Sequence, residues 1–177
     1  MKPPEVFETE RLRLRRPVIE DAESIFSGYA QDGEVTKYLT WRPHESIDST
    51  HEFLRLCITA WDEGKSVQWV IVRKEDNLLL GMVGIRLDRY KVELGYLLAK
   101  PYWGNGYMTE AVQAIVEWAL NQEGIYRVWA VCDVENLASA RVLEKIGMRR
   151  EGVLRRWSMH PNRSGEPRDC YCYAKTK

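Results

Sequence analysis

With 177 residues, 45% of them apolar and 29% charged, the chain has the size and composition of one globular domain able to bury a core. Twenty-six lysines and arginines balance twenty-six acids, which excludes a global field that would draw the chain to nucleic acid or an anionic membrane surface. Cys57, Cys132, Cys170 and Cys172 form no C-x-x-C pair and have no histidine at zinc spacing, so no metal site is expected and a reducing cytoplasm fits best.

The opening "MKPPEVFETERLRLRRP" has no apolar signal core, and no apolar run reaches membrane-spanning length. Leu12 and Leu14 alternate with Arg11, Arg13 and Arg15, which predicts a half-buried first strand ending at Pro17, its arginines read as a solvated face. Val18, Ala22, Ile25, Phe26 and Tyr29 recur at helical spacing and predict a first helix. "GEVTKYLTWRPHES" is a turn-rich connector, and Ser46 is placed to cap a second helix running to about Glu63.

The middle of the chain changes period. "SVQWVIVRK", "LLLGMVGIRLD" and "KVELGYLLAK" are strand-like runs joined by short polar links, an antiparallel meander. Met108, Ala111, Val112, Ile115, Val116, Ala119 and Leu120 outline one apolar face, so Tyr107 to about Gln122 is a helix. "RVWAVCDV" is a fifth strand, and "ENLASARVLEKIG" a short helix stopped at Gly147. "EGVLRRWSMH" and "RDCYCYAKT" close the chain as two strands around the loop "PNRSGEP". The order gives one α/β domain over residues 1–177, with a mixed seven-stranded sheet and about four helices.

The stretch "PYWGNGYMTEAV" carries the chemistry. Glycines ahead of a helix let an anion approach the unpaired first-turn N–H groups without meeting a Cβ. A bare tight turn is the alternative reading. The G-x-x-x-x-G-K-[ST] phosphate loop is missing, and Met108 and Thr109 stand where a dinucleotide fingerprint needs a third small residue.

Taken together, "VELGYLLAK", "YWGNGYMTEA" and "WAVCDVEN" followed by "NLASARVLEKIGM" resemble the GNAT superfamily of N-acetyltransferases, and within it the ribosomal-protein alanine/serine (RimJ/RimL-like) branch. The resemblance covers almost the whole chain. It implies a largely antiparallel sheet splayed between the fourth and fifth strands. It places the diphosphate of acetyl-CoA on Trp103, Gly104, Asn105, Gly106, Tyr107 and Met108, with Met108 turned away from the phosphates. The pantetheine arm is expected along the backbone of Tyr96, Leu97 and Leu98, with Asn136 beside it near the thioester.

For catalysis the resemblance points to Glu93 as base and to Ser139 as the group that steadies the departing thiolate. The tyrosine that many members carry seven residues after the asparagine is replaced by Leu143. Cys132 as an acyl carrier lacks a partnered base. Trp41, His44 and the "HPNRSGEPRD" loop, together with Glu93, are the expected acceptor side. The acceptor is an amine, either a protein N-terminus or a small molecule, and no metal is implied. A homodimer is compatible with the resemblance, whereas nucleic acid and membrane are not expected partners. The rival is a non-catalytic acyl-CoA-binding regulatory module; an RNA- or ribosome-docking protein would rest only on the arginine patches.

Overall fold

The computed structural model describes residues 2–64 and 66–177. Its strands are β1 (Val6–Glu8), β2 (Leu12–Arg15), β3 (Ser66–Arg73), β4 (Leu79–Asp88), β5 (Lys91–Leu98), β6 (Arg127–Asp133), β7 (Arg149–Ser158) and β8 (Arg168–Thr176). Among the described residues they form one eight-stranded sheet in the order β1-β2-β3-β4-β5-β6-β8-β7. Every neighbouring pair is antiparallel except β5 and β6, which run parallel. The strand beyond the expected seven is β1. It has three residues, too few for alternation to show, and is held by the register Val6↔Arg15 to Glu8↔Arg13.

Among the described residues four α-helices flank the sheet: α1 (Ala22–Ile25), α2 (Ile47–Asp62), α3 (Tyr107–Leu120) and α4 (Leu137–Lys145). The single helix expected from residue 18 onward is corrected. A 3-10 turn at Ile19–Asp21 leads into one α-turn, which opens into a π-helical turn at Phe26–Ala30. The wider turn, with Gly28 inside it, lets Ile25, Tyr29 and Ala30 all be buried together. Ser46 stands at the N-cap of α2 with extended backbone, yet its hydroxyl makes no capping bond.

Period-two alternation divides the strands between two cores. Val67, Trp69 and Ile71 of β3, with Val92 and Leu94 of β5, join the inner faces of α3 and α4. Val70 and Val72 of β3, with Leu97 of β5 at the margin, pack against α1 and α2. The helices of the second core leave the same face of β6 and β8 uncovered, and there the sheet offers an open cleft.

Candidate active site at the parting of two strands

The registers of β5 and β6 locate the site. They pair only at Lys91↔Arg127, Val92↔Val128 and Glu93↔Trp129. Beyond Glu93, β5 continues to Leu98 on β4, and beyond Trp129, β6 continues to Asp133 on β8. The facing edges at residues 94–98 and 130–133 therefore lack a strand partner across the gap. Backbone N–H and C=O groups left this way need another partner or water. One of them has such a partner, because the indole of Trp103 donates to the Leu98 carbonyl at 2.7 Å.

At the far end of β5 the chain passes through a 3-10 turn (Lys100–Tyr102) into α3. Gly104 and Gly106 have φ of +78° and +79°, in the left-handed region that a β-carbon disfavours. A Cβ at Gly104 would meet nothing within 4 Å, and one at Gly106 only the Arg11 guanidinium at 3.5 Å, so packing does not require glycine at either position. The first intrahelical bond is Glu110 N–H to Gly106 C=O. The N–H groups from Gly104 to Thr109 make no hydrogen bond among the described residues. Met108 is buried in the core, so its side chain points away from this bare ring of donors. Such an array at a helix N-terminus suits a diphosphate.

Two guanidinium groups lie beside it, and one of them, Arg11, is read from sequence as part of a solvated face. Arg11 bonds the Asn105 carbonyl at 3.0 Å and stacks over Tyr107 at 4.5 Å, while Arg73 lies over Tyr102 and Tyr107 at 5.4 and 6.0 Å. Arg15 is likewise engaged, bonding Asp21 at 2.8 and 2.5 Å. Arg73 also bonds Asp76 three residues on, at 3.0 and 2.5 Å, whereas the partners of Arg11 and Arg15 lie in other elements, so no local pattern marks those two.

Around the gap, the expected catalytic groups fall on opposite faces of the sheet. Glu93 lies at the vertex, paired across to Trp129, and its carboxylate is held by Arg86, whose Nε is 3.0 Å away. Tyr96, three residues on and on the other face, packs against the α3–α4 core. Its hydroxyl lies 2.8 Å from Ser139 Oγ and 3.2 Å from the Ser139 carbonyl. Burial raises the phenol well above its ordinary value, so it is neutral at physiological pH.

Ser139 is positioned by the start of α4. Asp133 at the end of β6 is buried and bonded to Arg168 at 2.5 Å, and its carboxylate and carbonyl accept the Glu135 and Asn136 N–H groups. Asn136 then caps α4, its side-chain oxygen accepting the Ser139 N–H at 3.2 Å. Leu143 is fully buried in the core, which leaves no room for an acid there. Burial pushes the Cys132 thiol up to about 12, so it is no nucleophile at neutral pH.

The open cleft on the Glu93 face has a volume of about 670 Å³ and is lined by Thr40, Arg86, Asp88, Glu93, Trp129 and Trp157 among others. Trp41 and His44 do not line it. Their rings pack on each other and on Phe53, and His44 Nδ1 is 2.7 Å from the hydroxyl of the buried Thr50. The β7–β8 loop reaches the same connector, where Asn162 donates to the Thr36 and Trp41 carbonyls at 2.8 Å each. The two tryptophans of the cleft, Trp129 and Trp157, were missed, since a strand tryptophan reads as core.

The acetyltransferase (GNAT) domain family profile matches residues 11–149. An N-acetyltransferase of Bacillus subtilis (strain 168), YoaA, itself uncharacterized, is 33% identical over 175 residues, covering 97% of each chain. A GNAT-family acetyltransferase structure from Bacillus anthracis is 28% identical with a TM-score of 0.84, covering 97% of this chain and 98% of that one. RimL, a ribosomal L7/L12 α-N-protein acetyltransferase solved in complex with coenzyme A, shares the fold at a TM-score of 0.86 and 20% identity, over 97% of this chain and 98% of its own.

Proposed function

The chain belongs to the GNAT family of acyl-CoA-dependent acetyltransferases, and from that premise we propose direct transfer of an acetyl group from acetyl-CoA to a primary amine, with both substrates bound together. The amine is a protein N-terminal α-amine or that of a small molecule. The observation that carries this reading is the parting of β5 and β6 at Glu93 and Trp129, beside a helix start with bare amides.

The fit is chemical as well as spatial. The N–H groups of residues 104–108, with Arg11 and Arg73 alongside, offer donors and positive charge for a diphosphate. The unpaired edge of Tyr96, Leu97 and Leu98 offers strand-like bonds to the two amides of a pantetheine arm, and Asn136, which caps the helix that carries Ser139, is the side chain assigned to the arm's thioester end. Bound there, acetyl-CoA supplies an activated acyl carbon at the gap.

An amine approaches from the open cleft, on the Glu93 face. An α-amine of pKa about 8 is partly neutral at physiological pH, while a lysine amine near 10.4 needs more help. Glu93 takes the proton lost by nitrogen, directly or through water, as the C–N bond forms. A backbone N–H of β5 near Tyr96 or Leu97 steadies the developing oxyanion. The C–S bond then breaks toward the opposite face, where Ser139 donates to the sulfur. Glu93 returns the nitrogen's proton to solvent and the departing thiolate takes one from solvent, so one amine and one thioester give one amide and one thiol.

Thiol release from acetyl-CoA, measured across a panel of N-terminal peptides, polyamines and aminoacyl conjugates with product masses determined, tests the proposal. Acetylated amine in step with thiol release is expected. Tight CoA binding without turnover on any amine would overturn it in favour of a regulatory acyl-CoA-binding module.

A further inference from the structure

The gap between β5 and β6 holds a side-chain pair that the backbone reading of Tyr96 does not anticipate. One phenolic proton faces two acceptors on Ser139, the hydroxyl at 2.8 Å and the carbonyl at 3.2 Å. The serine hydroxyl has one proton and two claimants: the Tyr96 oxygen and whatever occupies the gap. Two arrangements follow. If the phenol donates to the carbonyl, its oxygen draws the serine proton and the hydroxyl is spent. If it donates to Oγ, the serine proton is released to point elsewhere.

We propose that Tyr96 is a positioning residue for the departing thiolate, its phenol donating to Ser139 Oγ so that the serine proton turns to the sulfur as the C–S bond breaks. This rests on the acetyl-transfer reading above and deepens it. A developing thiolate selects the second arrangement, because a hydrogen bond to an anion is roughly twice as strong as a neutral one. Donation into Oγ also polarises the O–H bond that faces the sulfur. The phenol does not give up its proton. A thiol near 8.5 is more acidic than a tyrosine near 10, and burial raises the phenol further. Both hydroxyls stay protonated through turnover, and the thiolate takes its proton from solvent, to which Glu93 releases the one that nitrogen lost. With Leu143 buried where a tyrosine acid would stand, this pair is the donor system that the α4 side of the gap offers.

Tyr96→Phe keeps the ring and removes the donor. Its kcat should fall about tenfold with KM for acetyl-CoA within about twofold, since the bond strengthens mainly in the transition state. Tyr96→Phe combined with Ser139→Ala should be no slower than Ser139→Ala alone, because the phenol acts through that hydroxyl. Losses that multiply, or an unchanged kcat in Tyr96→Phe while Ser139→Ala is slow, would overturn the proposal and leave acetyl transfer standing. An unchanged kcat in Ser139→Ala would instead sink the serine's role, and the positioning of it with it. Should Tyr96→Phe fail to fold, trifluorotyrosine at position 96 carries the test. Its easily ionised phenol should add a descending limb to the kcat profile at high pH, and absence of that limb would also overturn the proposal.

Discussion

Arg11 and Glu110 tie the turn between β1 and β2 to the start of α3 by two bonds, from the Arg11 backbone N–H at 2.8 Å and from its guanidinium at 2.7 Å. The Thr9 hydroxyl adds a third at 2.6 Å, and Arg11 reaches on to the Asn105 carbonyl inside the glycine turn. The glycine turn is thus braced from outside by a segment nearly a hundred residues earlier. The carboxylate also sits in the first turn of α3, where the helix dipole favours negative charge.

That brace predicts a pH-dependent stability. Burial pushes the Glu110 carboxyl up, but Thr9 and Arg11 outweigh it and hold it below its ordinary value of 4.5. The folded state therefore binds the proton less readily than the unfolded one. The stabilisation is complete above the ordinary value and is lost as pH falls through the lowered one. Glu110→Gln should cost about 1.5 kcal/mol at pH 7, the low end for bonds to a charged group because Arg11 is partly exposed. Thermal melts from pH 7 to pH 3 should show the gap to wild type closing. A constant gap would assign the effect to packing.

Gly106→Val tests the turn itself. The substituted Cβ meets only the far end of Arg11, so the cost is backbone strain, about 1–2 kcal/mol for a branched residue at this φ. The variant should fold but lose the rise in melting temperature that CoA gives the wild type, because a branched side chain then blocks an anion's approach to the bare amides. Normal stabilisation by CoA would make the turn purely structural.

Much of this architecture is legible in the chain. Of the face that helical spacing picks out on α3, Met108, Ala111, Val112, Ile115, Val116 and Ala119 are buried and Leu120 is partly buried, and β8 spans Arg168–Thr176 as read. Periodicity reports burial, and these elements are decided by burial. The pairings of Tyr96 with Ser139, Arg86 with Glu93 and Arg11 with Glu110 are set by tertiary placement across separate elements, so no local pattern carries them. The turn at Phe26–Ala30 escapes for another reason, since a π-turn breaks the very period that would announce it.

Glu93 predicts a characteristic pH response. If it relieves the attacking nitrogen of its proton, Glu93→Gln should slow turnover at least tenfold near pH 6.5 and far less near pH 9, where an α-amine is already neutral. Initial rates across that range with a peptide N-terminus as acceptor measure this. A loss equal at both ends would make the carboxylate a partner for Arg86 and nothing more.

The last prediction separates the two aromatic groups on the acceptor side. Trp157, on β7, is 52% exposed and lines the cleft with Glu93 and Trp129, so its ring is available to an incoming amine's own apolar or planar surface. An exposed tryptophan that contacts a ligand is a common source of binding energy, and truncating it commonly costs 2 kcal/mol or more. Trp157→Ala should therefore raise KM for the amine about thirtyfold, with kcat and the KM for acetyl-CoA nearly unchanged, because the contact is the same in ground and transition states. His44 behaves differently. Its ring nitrogen is engaged with Thr50, it packs on Trp41 and Phe53, and burial lowers its pKa, so it enters the fold as a neutral packing group. His44→Ala should lower the melting temperature by several degrees, as loss of about 1–2 kcal/mol does in a domain of this size, and leave amine KM alone. Steady-state kinetics and melts on the two variants, run with one acceptor, decide the matter. A raised amine KM in His44→Ala with Trp157→Ala silent would move the acceptor from the cleft to the connector between α1 and α2.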